Sequence, residues 1–296
     1  MSPRPGILAV LLLVAAAAPA RESLRLPWVF SDEPDLCADF GFSPGQGGKT
    51  AVQLVLGGRF AHFGLPSHAP RAPRLDIHCE FNAPSELEHS AVALDQKLDL
   101  ADVLKEYGKD FSPGEFGSSS SMVYKAELGT ELAPGDYNVR IMISDVALAV
   151  ESRRTLHVIV PALDSTAWQL DDLRFITAVG KRLDARGREQ RVLDPNPWRQ
   201  VGGDLGWDLL LAYGDRGPRP GQSLQRRHWV RRLRGDQAVV WQEAGEAPKK
   251  KAEQVWLLRV PEGELKRWKA GVYVLEVELQ SGKQVIRSSK TFEVLP

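Results

Sequence analysis

A chain of 296 residues, 43% hydrophobic and 26% charged, can bury more than one core and is too apolar for a disordered chain. Its formal net charge of zero excludes the overall basicity of a nucleic-acid-coating protein, and 26 Gly with 20 Pro favour turn-rich β structure.

Arg4, the apolar run Ile7 to Ala18 and the triplet Ala18-Pro19-Ala20 read as the basic, hydrophobic and cleavage regions of a signal peptide. Residues 1–20 are expected to be removed and the mature chain exported to the periplasm or beyond the cell. The run is shorter than the roughly 17 to 25 residues of a membrane helix, so no transmembrane anchor is expected after cleavage. A lipid anchor would need Cys directly after the cleavage site, and the first is Cys37. Cys37 and Cys79 are the only two cysteines, and in an oxidising compartment they form either one disulfide or two buried free thiols. Their spacing does not choose between these.

Over 21–161 the sequence predicts a first β-sandwich. Its strands are Leu36 to Phe42, Thr50 to Leu56, Arg74 to Phe81, Ser90 to Leu98, Ser121 to Leu128, Asp136 to Ser144 and Thr155 to Val160. The segment SPGQGGKT, Ser43 to Thr50, resembles a phosphate loop. It has Ser43 where that loop needs its first glycine and is followed by a strand rather than a helix, so it reads as a turn and no nucleotide is expected. Leu100, Val103, Leu104 and Tyr107 follow Asp99 at helical spacing and stop at Gly108, which predicts one short helix. His62, His68, His78 and His89 lack the spacing that fixes metal ligands by local geometry, so neither metal nor other cofactor is expected.

The stretch LAPGDYNVRIMISD, Leu132 to Asp145, is nearly repeated by RWKAGVYVLEVELQ, Arg267 to Gln280. A shift of 136 places Gly135 on Gly271 and Tyr137 on Tyr273. Continued downstream, it places Leu156 on Phe292 and Val158 on Val294. Each copy therefore predicts two closing strands of a sandwich, with Val139, Ile141 and Ile143 on a buried stripe. A Tyr after a Gly turn at the penultimate strand matches the tyrosine corner of immunoglobulin-like sandwiches, so Gly135, Tyr137, Gly271 and Tyr273 are assigned structural roles.

A second sandwich is predicted over 162–296, with strands Leu173 to Val179, Gln190 to Leu193, Trp207 to Tyr213, His228 to Leu233, Ala238 to Gln242, Gln254 to Val260, Val272 to Leu279 and Val285 to Val294. The pair Asp171-Asp172 near the boundary reads as a solvated face or turn cap. LQRRHWVRRLRGDQAVVWQ, Leu224 to Gln242, reads as a hairpin at a sheet edge. Its Arg227, Trp229, Arg231 and Arg234 are the candidate binding residues, able to hold an anionic glycan or a nucleic acid strand, of which the glycan is the one expected. Most of the tryptophans from Trp168 onward are expected in a core. Residues 21–161 hold 13 basic and 20 acidic side chains against 24 and 18 in 162–296, so charges of −7 and +6 hide within the neutral total. Such opposite signs can serve anionic partners or contacts between the two domains.

The segments LDDLRFITAVGKR and LDPNPWRQVGGDLGWDLLLAYGD, with PGDYNVRI and AGVYVLEV, resemble the β-sandwich portions of exported bacterial GWxTD domain-containing proteins. The motif itself is absent: Gly206-Trp207-Asp208-Leu209-Leu210 matches its first two residues only. The resemblance implies export and a sandwich fold, with no catalytic residues to carry over. The expectation is therefore an all-β chain of two tandem immunoglobulin-like or fibronectin-III-like domains that binds or organises envelope components, with an envelope protein or polysaccharide as partner. A glycan-binding module using the Arg/Trp hairpin, or a hydrolase with a dispersed site, is the alternative.

Overall fold

The computed structural model describes residues 28–30, 36–59, 71–83, 92–106, 110, 112, 123–146, 149–164, 166–183, 189–203, 208–216, 223–234, 237–246 and 255–296. The expected signal peptide, His62, His68, His89, Trp207 and the Gly235-Asp236 turn lie outside them.

Alternating apolar residues build two facing sheets in the first half. One has the order β1-β2-β3-β6, from β1 (Trp28–Phe30), β2 (Leu36–Pro44), β3 (Thr50–Arg59) and β6 (Val123–Leu132). The other has the order β5-β4-β7-β8, from β4 (Arg74–Asn82), β5 (Val92–Asp99), β7 (Gly135–Asp145) and β8 (Val150–Val160). Leu36, Ala38 and Phe40 of β2 meet Ile77, Cys79 and Phe81 of β4 and Val139, Ile141 and Ile143 of β7 in one buried cluster. The helix α1 (Leu100–Glu106) follows β5, and Asp99 Oδ1 accepts the Ala101 N–H at 2.9 Å, satisfying one of its free amide donors. SPGQGGKT is the β2–β3 turn: the strands close at Pro44 and Thr50, and Gly47 and Gly48 take φ of 60° and 77°.

The second half has its own core. Its first sheet has the order β11-β10-β13-β17, from β10 (Arg174–Leu183), β11 (Glu189–Pro195), β13 (Leu209–Tyr213) and β17 (Trp256–Val260). The facing sheet has the order β12-β19-β18-β15-β16, from β12 (Gln200–Val201), β15 (Gln225–Arg232), β16 (Val239–Glu246), β18 (Gly271–Ser281) and β19 (Gln284–Val294). Two-residue strands β9 (Gln169–Leu170) and β14 (Asp215–Arg216) pair apart, and α2 (Glu262–Leu265) links β17 to β18. The strand plan recurs: β2-β3-β6 over β5-β4-β7-β8 corresponds to β10-β13-β17 over β16-β15-β18-β19. This is an all-β fold of sandwich type.

The repeated hairpins differ by one detail. β7 and β8 close at Asp145 and Val150, whereas β18 and β19 close at Ser281 and Gln284, two residues sooner. Tyr137 therefore pairs with Val158 and Tyr273 with Phe292, so the offset of 136 along the first strand becomes 134 along the second. The sequence alignment is corrected accordingly: Val158 corresponds to Phe292, and Leu156 to Lys290. An even slip keeps every residue on its face, so the alternation alone could not reveal it. Gly135 and Gly271 share φ values of 153° and 146°, where a Cβ is strained. The Tyr137 hydroxyl donates to the Ala133 carbonyl at 3.0 Å and the Tyr273 hydroxyl to the Lys269 carbonyl at 2.7 Å.

Candidate functional site: the seam between the two sandwiches

In β2, Leu36, Ala38 and Phe40 point into the first core, so Cys37, Asp39 and Gly41 face the other way. That outer face is nevertheless buried, because the second half sits on it. The Cys37 thiol donates to the Pro197 carbonyl at 3.0 Å. On β3, a Cβ at Gly57 would lie 2.6 Å from the Trp198 ring and 2.7 Å from Pro197, so only glycine admits this packing. The loop Pro195-Asn196-Pro197-Trp198-Arg199 thus rests against β2 and β3.

This loop delivers a cation. Asn196 is anchored through its N–H to the Phe175 carbonyl at 2.8 Å, and its Oδ1 accepts the Arg199 N–H at 3.1 Å. Arg199 takes φ of 49°, a left-handed conformation that costs a non-glycine residue about 1 kcal/mol or more. Its guanidinium then grips Asp39, with Nε on Oδ2 at 2.9 Å and Nη2 on Oδ1. From β19, Lys290 Nζ lies 3.1 Å from Asp172 Oδ2 and 3.8 Å from Asp39 Oδ2. Arg199, Lys290 and Asp39 are all buried. Two cations meet two carboxylates, so the cluster is neutral. Charges removed from water in this way are tolerated only while all partners are present.

Lys290 pairs across the ladder with Leu275, a core residue, at the position Leu156 holds in the first half. A lysine stands where the first half has a core leucine, and Asp39 of the opposite half completes its neutralisation. A second bridge crosses the seam where Lys125 Nζ reaches Asp194 Oδ1 at 2.8 Å and Thr177 Oγ1 at 2.9 Å. Burial pulls the Lys125 pKa down, against the upward pull of Asp194.

The sequence expectations land elsewhere. Cys37 and Cys79 are both buried and not bridged to each other: Cys79 sits in the first core, while Cys37 faces the seam with its thiol on the Pro197 carbonyl. The expected solvated pair Asp171-Asp172 is corrected at Asp172, which belongs to the ion cluster. β15 and β16 do pair as a hairpin at the sheet edge, with β16 outermost and β15 between it and β18. Arg227 pairs with Glu278 at 3.2 Å, while Trp229 Nε1 and Arg231 both engage Glu276. Arg234 is exposed at the end of the strand. Asp39, Arg199 and Lys290 were missed. Their only local signals were a lysine in a core-facing register and an aspartate inside the apolar run LCADFGF.

Three histidines are described with polar partners. His78, on the outer face of β4, contacts Asp95 at 2.7 Å and Glu80 at 3.1 Å, and hydrogen bonds to Asp95 and then Glu80 raise its pKa. It borders a shallow hollow of about 570 Å³ whose Asp76, Lys97, Glu151 and Arg153 are paired among themselves. His157 faces Asp136 at 3.2 Å. His228 is buried in the second half against the Tyr213 hydroxyl, and burial lowers its pKa to about 4. Among the described residues, no group of three or more His, Cys, Asp or Glu is arranged to hold a metal ion, and no helix is long and apolar enough to cross a membrane.

No family model matches the chain, and no curated protein matches it. Among solved structures, dimeric latent PorU from Porphyromonas gingivalis is similar over 93% of this chain and 20% of that one, at 12% identity and a TM-score of 0.28. This chain spans about a fifth of that protein's length.

Proposed function

We propose that this is an exported, non-catalytic protein whose two sandwiches act as one rigid body that binds or organises cell-envelope components. The observation that supports this reading is the seam. Arg199, Lys290, Asp39 and Asp172 neutralise one another across the two halves, and Trp198 packs where Gly57 leaves room. A buried neutral cluster has no charge left for acid/base chemistry, yet it holds two sheet stacks in a set relation. That suits presentation of outer surfaces to a partner.

The test is cross-linking of the tagged mature protein in its native envelope at low and high salt, with identification of what co-purifies. Recovery of a defined envelope protein that is lost when the seam is broken by Asp39→Asn with Arg199→Leu is expected. Recovery of polysaccharide alone, or turnover of ester, peptide or glycoside substrates, sinks the reading.

A further inference from the structure

Each half carries a tyrosine corner at the same place, but the two corners differ in charge. At the offset of 136, Lys269 stands where the first half has Ala133. Across the ladder, Phe81 pairs with Val139 and Val230 with Leu275, so Arg232, opposite Tyr273, stands where the first half continues from Asn82 into Ala83. The first corner keeps its shape with alanine at both positions, and its Tyr137 hydroxyl still reaches the Ala133 carbonyl. The corner as a piece of fold therefore does not call for these cations.

The Arg232 guanidinium lies on the turn. Its Nη2 donates to the Ala270 carbonyl at 3.3 Å, and a Cβ at Gly271 would come within 3.5 Å of the same nitrogen. Burial raises the Tyr273 pKa and Arg232 pulls against it, as a positive charge near the hydroxyl must. Lys269 is exposed beside Ala270, and the exposed Arg234 follows Arg232 just beyond the point where the Leu233 N–H bonds the Val272 carbonyl at 2.9 Å. Among the described residues, Arg232, Arg234 and Lys269 make no ion pair. Their neighbours Arg231, Lys266 and Arg267 are by contrast tied to Glu276, Glu262 and Glu264. Like charges gathered without counter-ions repel one another, and an anion relieves that repulsion. An arginine with most of its donors uncommitted suits the oxygens of a phosphate group, which it can grip in bidentate fashion.

We infer that this corner is an oxyanion site that takes a phosphate group, with Arg232 as the fork and Arg234 and Lys269 supplying the remaining charge. It names a ligand chemistry only and does not rest on the envelope role.

The experiment is an NMR titration of the full mature chain with inorganic pyrophosphate, at an ionic strength held constant with chloride so that general screening does not change. Saturable shifts should appear at the Arg232 side-chain Nε–H and at the Ala270 and Gly271 amides. Acetate, which fits the fork but brings a single charge, should bind weaker by about tenfold or more. Arg232→Gln should weaken pyrophosphate binding by about tenfold or more, and Arg232→Lys, which keeps the charge without the fork, by less. Arg234→Ser combined with Lys269→Ser should weaken it similarly, and serves alone if loss of the bond to Ala270 unfolds the corner. Arg287→Gln, which removes a cation already held by Glu278, should bind as the unaltered chain does. Vesicles of phosphatidylglycerol separate the sources: co-sedimentation that the double serine variant loses assigns the phosphate to a lipid headgroup, and shifts with pyrophosphate but no co-sedimentation assign it to a soluble molecule. The absence of saturable shifts, shifts confined to residues away from the corner, equal binding of acetate, or undiminished binding by the folded Arg232→Gln or double serine variant would each overturn the site.

Discussion

Lys290 is the residue on which the most rests, because its ammonium is buried and held by carboxylates from both halves. Lys290→Met keeps the volume but strands Asp172 without its cation, and should lower the unfolding free energy by about 3 kcal/mol or more in urea denaturation. Adding Asp172→Asn should return part of that loss; full additivity of the two changes would show that they are not coupled. His228 gives a pH signature. Its folded pKa of about 4 lies below the ordinary 6.5, so the unfolded chain takes up the proton first as pH falls. The stabilisation from neutral His228 is complete above about pH 6.5 and is lost progressively toward pH 4, amounting to about 3 kcal/mol. His228→Phe should flatten the stability profile across that window. His78 has the opposite sign: its raised pKa adds stability at low pH that disappears as pH rises through the folded value.

At the level of elements, the closing hairpin of each half carries the corner in which a tyrosine hydroxyl ties the preceding turn. Tyr273 is almost fully buried and Tyr137 only partly. Tyr273→Phe should therefore cost about 1 kcal/mol and Tyr137→Phe less, measured as paired denaturation midpoints. Most strands were legible because a period of two with apolar residues on one face survives in the sequence, as in Val139, Ile141 and Ile143. The short pieces β1, β9, β12 and β14 were not, since two or three residues carry no period. The helix at Leu100 was legible from its cap and spacing. The seam was illegible for a related reason: in β2 both faces are buried, one by the partner sheet and one by the other half. The run LCADFGF still alternates, with Leu36, Ala38, Phe40 and Phe42 on one face, so Asp39 reads as a solvent-facing residue and its burial by the other half is hidden. Arg199 lies in a loop whose reach depends on a left-handed backbone that local sequence does not announce.

At the scale of the molecule, the first half packs onto the second through an outer sheet face stripped of bulk. Gly57→Val should push Trp198 off that face, destabilise the chain by about 2 kcal/mol and enlarge the radius of gyration measured by small-angle X-ray scattering. A destabilised variant with unchanged dimensions would place the strain within one half instead. The exchange of Leu156 for Lys290 between the two copies also makes them unequal in self-sufficiency. Cut apart, the first half would merely expose Asp39 to water, which carboxylates tolerate easily. The second would keep a lysine in a core-facing register and an arginine in a strained loop, both deprived of the carboxylate they share. Expressed alone, residues 21–161 should fold as an independent unit, while residues 162–296 should be recovered folded only when the first half is supplied in trans. Duplication would thus have produced one autonomous copy and one tenant.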